Sequence, residues 1–470
     1  MPNLNLQQIS SAMPCRVATW QTSQVIKGFT KKHKTPFPFS LVFIFNRVVN
    51  EDKLIQRLVM GKATGVVVSS NHHLELDKFA KAGIGVLEVK RIKQAYFQMA
   101  KLYRRQFPIP IVQVIGSSGK TTTKEMIGSI LKQEYSTLVS ALNLNGLTGV
   151  PYNLSKLEKN HEAAVLEVGM KAFGTMDLLS QMTQPQIGVV TGIHRAHLTR
   201  LGSIENIIKA KAEMIKHLSP DGALIINGDD PNCAEFLKII KYPGKIITFG
   251  FNRGNTIRAK RIRYKNFQCF FKVKGKGFKF NCMLNTFGSY NISNALAAIA
   301  VGIELRVPHH KIQQGLAEFS PVKGRMQVIS CTNDITLIHD NFNANPDSTK
   351  LLLSQIPHLP RKRPVTLVLG DMESPETNEA YAKMVHYQIG KKTGSLAIDK
   401  LIAIGKWAEE YCQGAKAMGI PTKKLYYYKQ VDDAMKDMPH LVQPSSIVIF
   451  KASVTYIDQK PLIRLFSRNT

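Results

Sequence analysis

Short, mostly apolar runs alternate with amphipathic stretches through most of this chain. IVQVI (111–115), AAVLE (163–167), IGVV (187–190) and ALII (223–226) are too short for buried helices and are rich in β-branched residues. Each therefore predicts a strand covered on both faces. Between them, stretches such as KEMIGSILKQ (124–133) and SIENIIKAKAEMIKHL (203–218) repeat apolar residues at helical spacing. Strand and helix in strict alternation predict a parallel sheet with helices on both sides. From about 245 to 285 the pattern becomes alternating, with a G-K-G turn, and predicts antiparallel hairpins at the edge of that sheet. A helix over SNALAAIAVGIEL (293–305) follows.

After FSPVKGRMQV a second alternating series begins, with strands at ITLIHD, PVTLVLG, KLIAIG, KLYYY and SSIVIFK. It predicts a separate doubly wound sheet. Residues 1–106 are patterned more weakly, but FSLVFIF, TGVVVSS and GIGVLEV with helical stretches between them predict a small α/β unit. Pro108 and Pro110 mark its end. The fold class expected is α/β in three domains, 1–107, 108–318 and 319–470, with catalytic clefts between them.

Composition narrows the function. The 470 residues are 44% hydrophobic and 20% charged, which is ordinary for globular chains. No apolar run approaches the length of a membrane span, and the N-terminus has no signal-peptide pattern. Six cysteines without a C-x-x-C pair predict free thiols in a reducing cytoplasm. The formal charge of +30 is high, and residues 1–107 alone hold 17 Lys/Arg against 5 Asp/Glu. Such a balance suits polyanionic substrates, nucleic acid or an anionic membrane. No nucleic-acid module or basic run with interleaved aromatics accompanies it, so small-molecule substrates and no nucleic-acid partner are expected of a monomer.

The chemistry starts at IVQVIGSSGKTTTK. A strand, the flexible turn Gly116-Ser117-Ser118-Gly119 and a helix opening at Lys120, Thr121 and Thr122 build an anion site. Backbone N–H groups and the helix dipole converge there, and the lysine adds a full charge. Val114 stands where the longer phosphate-loop pattern has its first glycine, so the form is the shorter G-x-x-G-K-T. Lys120 is placed to reach the terminal phosphates and Thr121 to bind Mg²⁺. Glu167 ends a buried strand beside this loop, where a carboxylate faces the ligand crevice and suits the same hard ion. His194 and His197 follow another such strand. Lys211 lies in a helix, where spacing alone gives only a solvated face. DNFNANP (340–346) reads as a turn-rich loop facing substrate.

These pieces, in this order, resemble the Mur ligase family of ATP-dependent amide-forming enzymes. The matching stretches are GSSGKTTTKE, NLNGLTGVPYNL, LEVGM, AHLTRLGS, AKAEMI, INGDDPN, GSYNISNALAA, GRMQ, DNFNANPDS and LGDM, over about residues 111–372. NGLTGVP and DNFNANP favour the branch that adds D-alanyl-D-alanine to a UDP-linked muramoyl tripeptide for peptidoglycan. The resemblance implies ATP and Mg²⁺ as cofactors, with Lys120 and Thr121 on the phosphates. It places Glu167 and His197 at metal sites, and it matches Lys211 to a lysine that the family carbamylates. Asn291 and Asn294 fall where adenine is held, and Arg325, Asp340, Asn343 and Asn345 would close the nucleotide site from the third domain. It further implies that a carboxylate attacks the γ-phosphate and that an amine then displaces the phosphate.

Some stretches depart from the family pattern. Residues 1–106 lack the D-S-R and D-G-H-like motifs, Tyr290 replaces a histidine in G-x-H-N, KAS (451–453) replaces KGS, and KAFGTMDLL lacks P-G-E-I. Two alternatives stay open at this point: a ligase of the same chemistry joining another carboxylate and amine, and a non-catalytic nucleotide-binding relative.

Overall fold

The apolar runs form three sheets, one in each of three α/β domains. The computed structural model describes residues 3–21, 23–141, 143–194, 201–360, 362–373, 378–453, 455–458 and 460–466. The first sheet holds β1 (Arg16–Thr19), β2 (Gly28–Thr30), β3 (Ser40–Phe43), β4 (Gly65–Ser69) and β5 (Gly85–Val89). Their order is β1-β5-β4-β3-β2, parallel except for β1. β1 and β2 have no long apolar run, which is why sequence periodicity passes over them.

The central sheet is built from β6 (Ile111–Ile115), β7 (Thr137–Val139), β8 (Ala163–Glu167), β9 (Ile187–Val190), β10 (Ala223–Asn227) and β11 (Lys245–Gly250). β12 (Ile257–Lys265), β13 (Gln268–Gly275) and β14 (Phe278–Leu284) complete it. The order is β14-β13-β12-β11-β10-β9-β6-β8-β7. Strands β6 to β11 run parallel and β12 joins β11 in parallel, so the antiparallel edge predicted from about 245 is confined to β12–β14, and β11 belongs to the parallel part. β6 lies between β9 and β8, so the chain leaves it toward one side and returns to the other. Such a switch point opens a crevice at the carboxyl ends of the strands.

β6, β8 and β9 are buried along their whole length, as continuous apolar runs require. The one polar residue in β6, Gln113, is satisfied: it donates to Ser180 Oγ at 2.7 Å and accepts from Thr183 Oγ1 at 2.5 Å. One face of this sheet packs under the helix Ser289–Glu304, eleven of whose residues are buried. The other face shares a continuous core with the first domain through Tyr96, Tyr103 and Phe107. The buried Arg104 spans this junction by donating to the carbonyls of Thr183 at 2.9 Å and Ile109 at 3.1 Å.

The third sheet contains β15 (Gln327–Ser330), β16 (Thr336–His339), β17 (Val365–Gly370), β18 (Lys400–Ile404), β19 (Leu425–Tyr428) and β20 (Ile447–Lys451). Their order is β15-β16-β20-β17-β18-β19, parallel except for the antiparallel edge strand β15. Sequence patterning anticipates the five parallel strands and passes over β15, whose residues are only half-buried. The predicted helix at 203–218 is α-helical only over Ile204–Ala212 and tightens to a 3₁₀ turn at Glu213–His217. Glu213 accepts from the backbone N–H groups of Gly174 and Asp177, which ties that turn to the neighbouring helix. Among the described residues no helix is long and apolar enough to cross a membrane.

Candidate active site

The loop after β6 is shaped by two glycines. Gly116 and Gly119 have φ of +148° and +78°, a region where a side chain is strained. Cβ atoms there would also collide with Thr191 Oγ1 and Asn294 Oδ1, at 2.0 and 2.5 Å. The loop is pinned to the end of β9, because Ser117 N–H donates to Gly192 O at 2.8 Å and Ser117 Oγ meets both His194 O and His194 N–H at 3.0 Å. Thr191 Oγ1 donates to Ser118 O at 2.5 Å. The helix Lys120–Leu131 then begins with no side-chain cap, which leaves its first N–H groups aimed into the crevice.

Lys120 folds back over this loop and donates to Gly116 O at 3.0 Å and Ser117 O at 3.4 Å. Burial holds its pKa below the usual lysine value, with Arg325 adding to the shift and Glu167 opposing it. Thr121 Oγ1 donates to Glu167 Oε2 at 2.8 Å, and Asn145 Nδ2 donates to Glu167 Oε1 at 2.7 Å. Glu167 is 2% exposed, and its own N–H rests on Ser140 Oγ at 3.0 Å. A carboxylate so buried persists because each oxygen has a donor. Lys211, 3% exposed, lies close enough for Lys120 to act on it electrostatically. Burial first, then the Lys120 charge, bring its pKa down to about 7.

The third domain reaches into the same crevice. Gly324, at φ +74°, turns the chain so that Arg325 Nη2 comes within 3.4 Å of Thr121 Oγ1. The guanidinium stacks on Phe342, 4.2 Å from the ring centre. Asp340, just past β16, accepts from Met326 N–H at 3.1 Å and pairs with Lys451, at the end of the adjacent β20, at 2.7 Å. Lys451 also donates to Asn343 O at 2.9 Å. Between the domains lies a cavity of about 140 Å³, lined by Ser117, Gly119, Tyr290, Asn294, Arg325 and Asn343 among others. Three buried polar atoms of its lining have no hydrogen-bond partner among the described residues: Tyr290 OH, Arg325 Nε and Asn343 Oδ1. Orphaned groups gathered round one cavity point to a polar ligand. The volume falls short of the about 300–1,000 Å³ typical of ligand sites.

Residues 114–302 match the Mur ligase middle domain, and residues 324–454 match the Mur ligase, glutamate ligase domain. The chain is 30% identical over 357 residues to the UDP-N-acetylmuramoyl-tripeptide–D-alanyl-D-alanine ligase of Bacillus subtilis, covering 76% of each protein. This chain belongs to the Mur ligase family. The crystal structure of MurF from Acinetobacter baumannii superposes with a TM-score of 0.85 at 26% identity, over 99% of both chains. The MurF ligase of Thermotoga maritima, solved in complex with ADP, shares the fold at 21% identity, with a TM-score of 0.76 over 93% of this chain and 96% of that one. The first sheet lies outside both matched segments, yet the A. baumannii structure covers it.

Within this Mur ligase the structure brings Gly116, Ser117, Ser118, Gly119, Lys120, Thr121, Glu167 and Arg325 together as the sequence suggested. Thr122, Asn291, Asp340, Asn343 and Asn345 line the same cavity. Besides Asp340, two of these have side chains already engaged. Asn345 caps the helix Pro346–Leu353 through Ser348 N–H at 2.8 Å, and Asn291 donates to Phe287 O at 2.7 Å. His197 lies outside the described residues. The His194 ring faces Asp230 at 3.9 Å. Among the described residues no three His, Cys, Asp or Glu side chains gather as a metal cluster.

Sequence reasoning passed over Asn145, Ser140, Phe342 and Lys451. Asn145 lies inside NLNGLTGVP, and an amide directly before a glycine was its only signal. Lys451 ends an apolar strand at the carboxyl edge of the sheet, the same signal that pointed to Glu167.

Proposed function

We propose that this chain is an ATP-dependent ligase that joins D-alanyl-D-alanine to UDP-N-acetylmuramoyl-tripeptide by way of an acyl-phosphate, acting as a monomer in the cytoplasm. The reading is carried by one observation: Lys120, the Thr121–Glu167 pair and Arg325 of another domain converge on a single phosphate loop. Relatives with that named activity, such as the B. subtilis enzyme, support the choice of substrates.

The donor set fits Mg²⁺. Thr121 offers a hydroxyl and Glu167 a buried carboxylate, and a hard cation takes one or two such oxygens together with phosphate oxygens. Thr121 and Glu167 would hold it, with His197 and a carbamylated Lys211 assigned to the metal by resemblance. When bound, it would neutralise charge developing on the phosphates. The loop N–H groups and Lys120 orient the γ-phosphate, and Arg325 closes over it when the third domain docks. Such catalysis is chiefly positioning and charge neutralisation. Asn291 and Asn294, at the start of the helix Ser289–Glu304, face the adenosine end, and Asp340, Asn343 and Asn345 wall the opposite side.

In the first step a carboxylate oxygen of the tripeptide bonds to the γ-phosphorus and the bond to ADP breaks. The dipeptide amine then adds to the acyl carbon, the tetrahedral intermediate expels phosphate, and the amine gives up its proton. The acyl-phosphate leaves an isotopic record. With both carboxylate oxygens of the tripeptide labelled by ¹⁸O, mass spectrometry should find one label in the released phosphate and one in the new amide. Unlabelled phosphate would rule out this route.

A further inference from the structure

One third of the excess charge sits where the ligase chemistry has no use for it. Between residues 252 and 285 there are ten Lys and Arg and no Asp or Glu, on the antiparallel edge β12–β14. Strand register sorts these residues by face. Arg258 pairs with Lys274 and Lys274 with Lys279, while Lys260 pairs with Lys272 and Lys272 with Asn281. Side chains two apart on a strand and directly opposite across strands share a face. Two rows of three positions therefore hold five cations and one amide. Rows are spaced about 7 Å apart and strands about 5 Å apart. The opposite face carries Ile257, Ala259, Phe271, Val273 and Cys282 into the core.

Like charges directly opposite one another weaken a sheet. Here nothing offsets them: among the described residues none of the five cations forms an ion pair with a carboxylate. The repulsion is felt, since Lys260 titrates below an ordinary lysine chiefly because of Arg258. A shallow groove of about 710 Å³ next to the grid adds Arg261 and Arg263, with Phe270, Gln313 and Gln314 on its walls.

We propose that the outward face of β12–β14 is a peripheral docking surface for an anionic lipid bilayer. The grid is a fixed, closely spaced array on a sheet face, and lipid headgroups diffuse laterally to meet such charges whatever their spacing. Clusters of four to eight Lys and Arg near a membrane surface behave in this way. A protein interface requires an apolar centre, and this face exposes only Phe270 among its large apolar side chains. Single-stranded nucleic acid requires rings for its bases. Phe278 and Phe280 fall on the other face of β14, where Phe280 stacks on His309 at 4.6 Å. With no spanning helix in the described chain, the association is electrostatic and reversible.

The test is co-sedimentation of the full chain with vesicles of phosphatidylcholine alone, or with about 30% phosphatidylglycerol. Binding is expected only to the anionic vesicles, with release near about 0.5 M salt. The double variant Lys260→Glu/Lys274→Glu should bind at least about tenfold more weakly. Lys423→Glu/Lys429→Glu makes the same change of net charge on exposed residues of the third domain, and should alter binding less than about twofold. ADP formation should be unchanged in both, which reports that they fold. No binding to anionic vesicles, equal loss in the two variants, or tighter binding to a single-stranded RNA homopolymer than to vesicles would each overturn the proposal.

Discussion

Replacing Lys120 with Ala lowers ADP formation by at least about 10²–10³-fold, the usual cost of removing one fixed donor from a developing charge. The fold should hardly notice. Among the described residues the Lys120 ammonium makes two hydrogen bonds, both to carbonyls of its own loop, and hydrogen bonds of this kind contribute about 1 kcal/mol each. Removing an ammonium whose ionised form is already disfavoured by burial offsets much of that. The melting temperature should therefore stay within a few degrees while turnover collapses. Steady-state ADP release and a thermal scan on the same preparation check both halves. Turnover within about threefold of the parent would mean that the loop holds nucleotide without using it.

Lys211→Met has the second large effect, and it shows in two readouts. At a pKa of about 7 the folded amine lies well below its value in the unfolded chain. Between about pH 7 and pH 10.5 the unfolded chain holds a proton that the native one has lost, so stability from this group rises with pH across that window. The cost is complete below pH 7 and gone above pH 10.5. Methionine removes it, so in carbon-dioxide-free buffer, where the parent amine is unmodified, the variant should gain over the parent at pH 6 by up to about 5 kcal/mol and lose most of that advantage by pH 10. Denaturant midpoints at three pH values measure this, and a gap independent of pH would contradict the assigned burial. In activity the variant should fall by about 10²-fold or more. About half of an amine with this pKa is neutral at pH 7, the form that reacts with carbon dioxide. The parent should thus lose activity in carbon-dioxide-free buffer and regain it with bicarbonate, and the variant should respond to neither.

The interior parallel strands, such as β8 and β17, were legible because burial on both faces writes itself as a nearly unbroken apolar run. The parallel strands β7 and β11 carry no such run and were passed over. β1, β2 and β15 were not legible either, because edge and half-buried strands carry mixed residues whose pairing is decided by tertiary contact. The same division holds at the site. Lys120, Thr121 and Glu167 follow from strand ends and a glycine turn, which are local features. Arg325 on Thr121, Phe342 under the guanidinium and Lys451 on Asp340 depend on how the third domain docks. No spacing in the chain reports that. Asn345 is a different lesson, since asparagine, proline at the first helical position and serine three residues on together make a capping signature. Its side chain is engaged for that local reason.

Domain closure connects the site to its turnover. Arg325 touches Thr121 across the domain boundary, at the place where phosphates and Mg²⁺ would lie, and the cavity behind it is small. On the proposed ligase reading, nucleotide entry would break that contact, and catalysis would remake it around the γ-phosphate.

The most direct test of the ligase assignment is phosphate release from Mg-ATP by the purified chain, with UDP-N-acetylmuramoyl-tripeptide and D-alanyl-D-alanine supplied together and singly. The account predicts release only when both are present, with the joined pentapeptide found by mass. Tight ATP binding with no release and no joined product would contradict it, and would show that the altered first domain serves a different carboxylate.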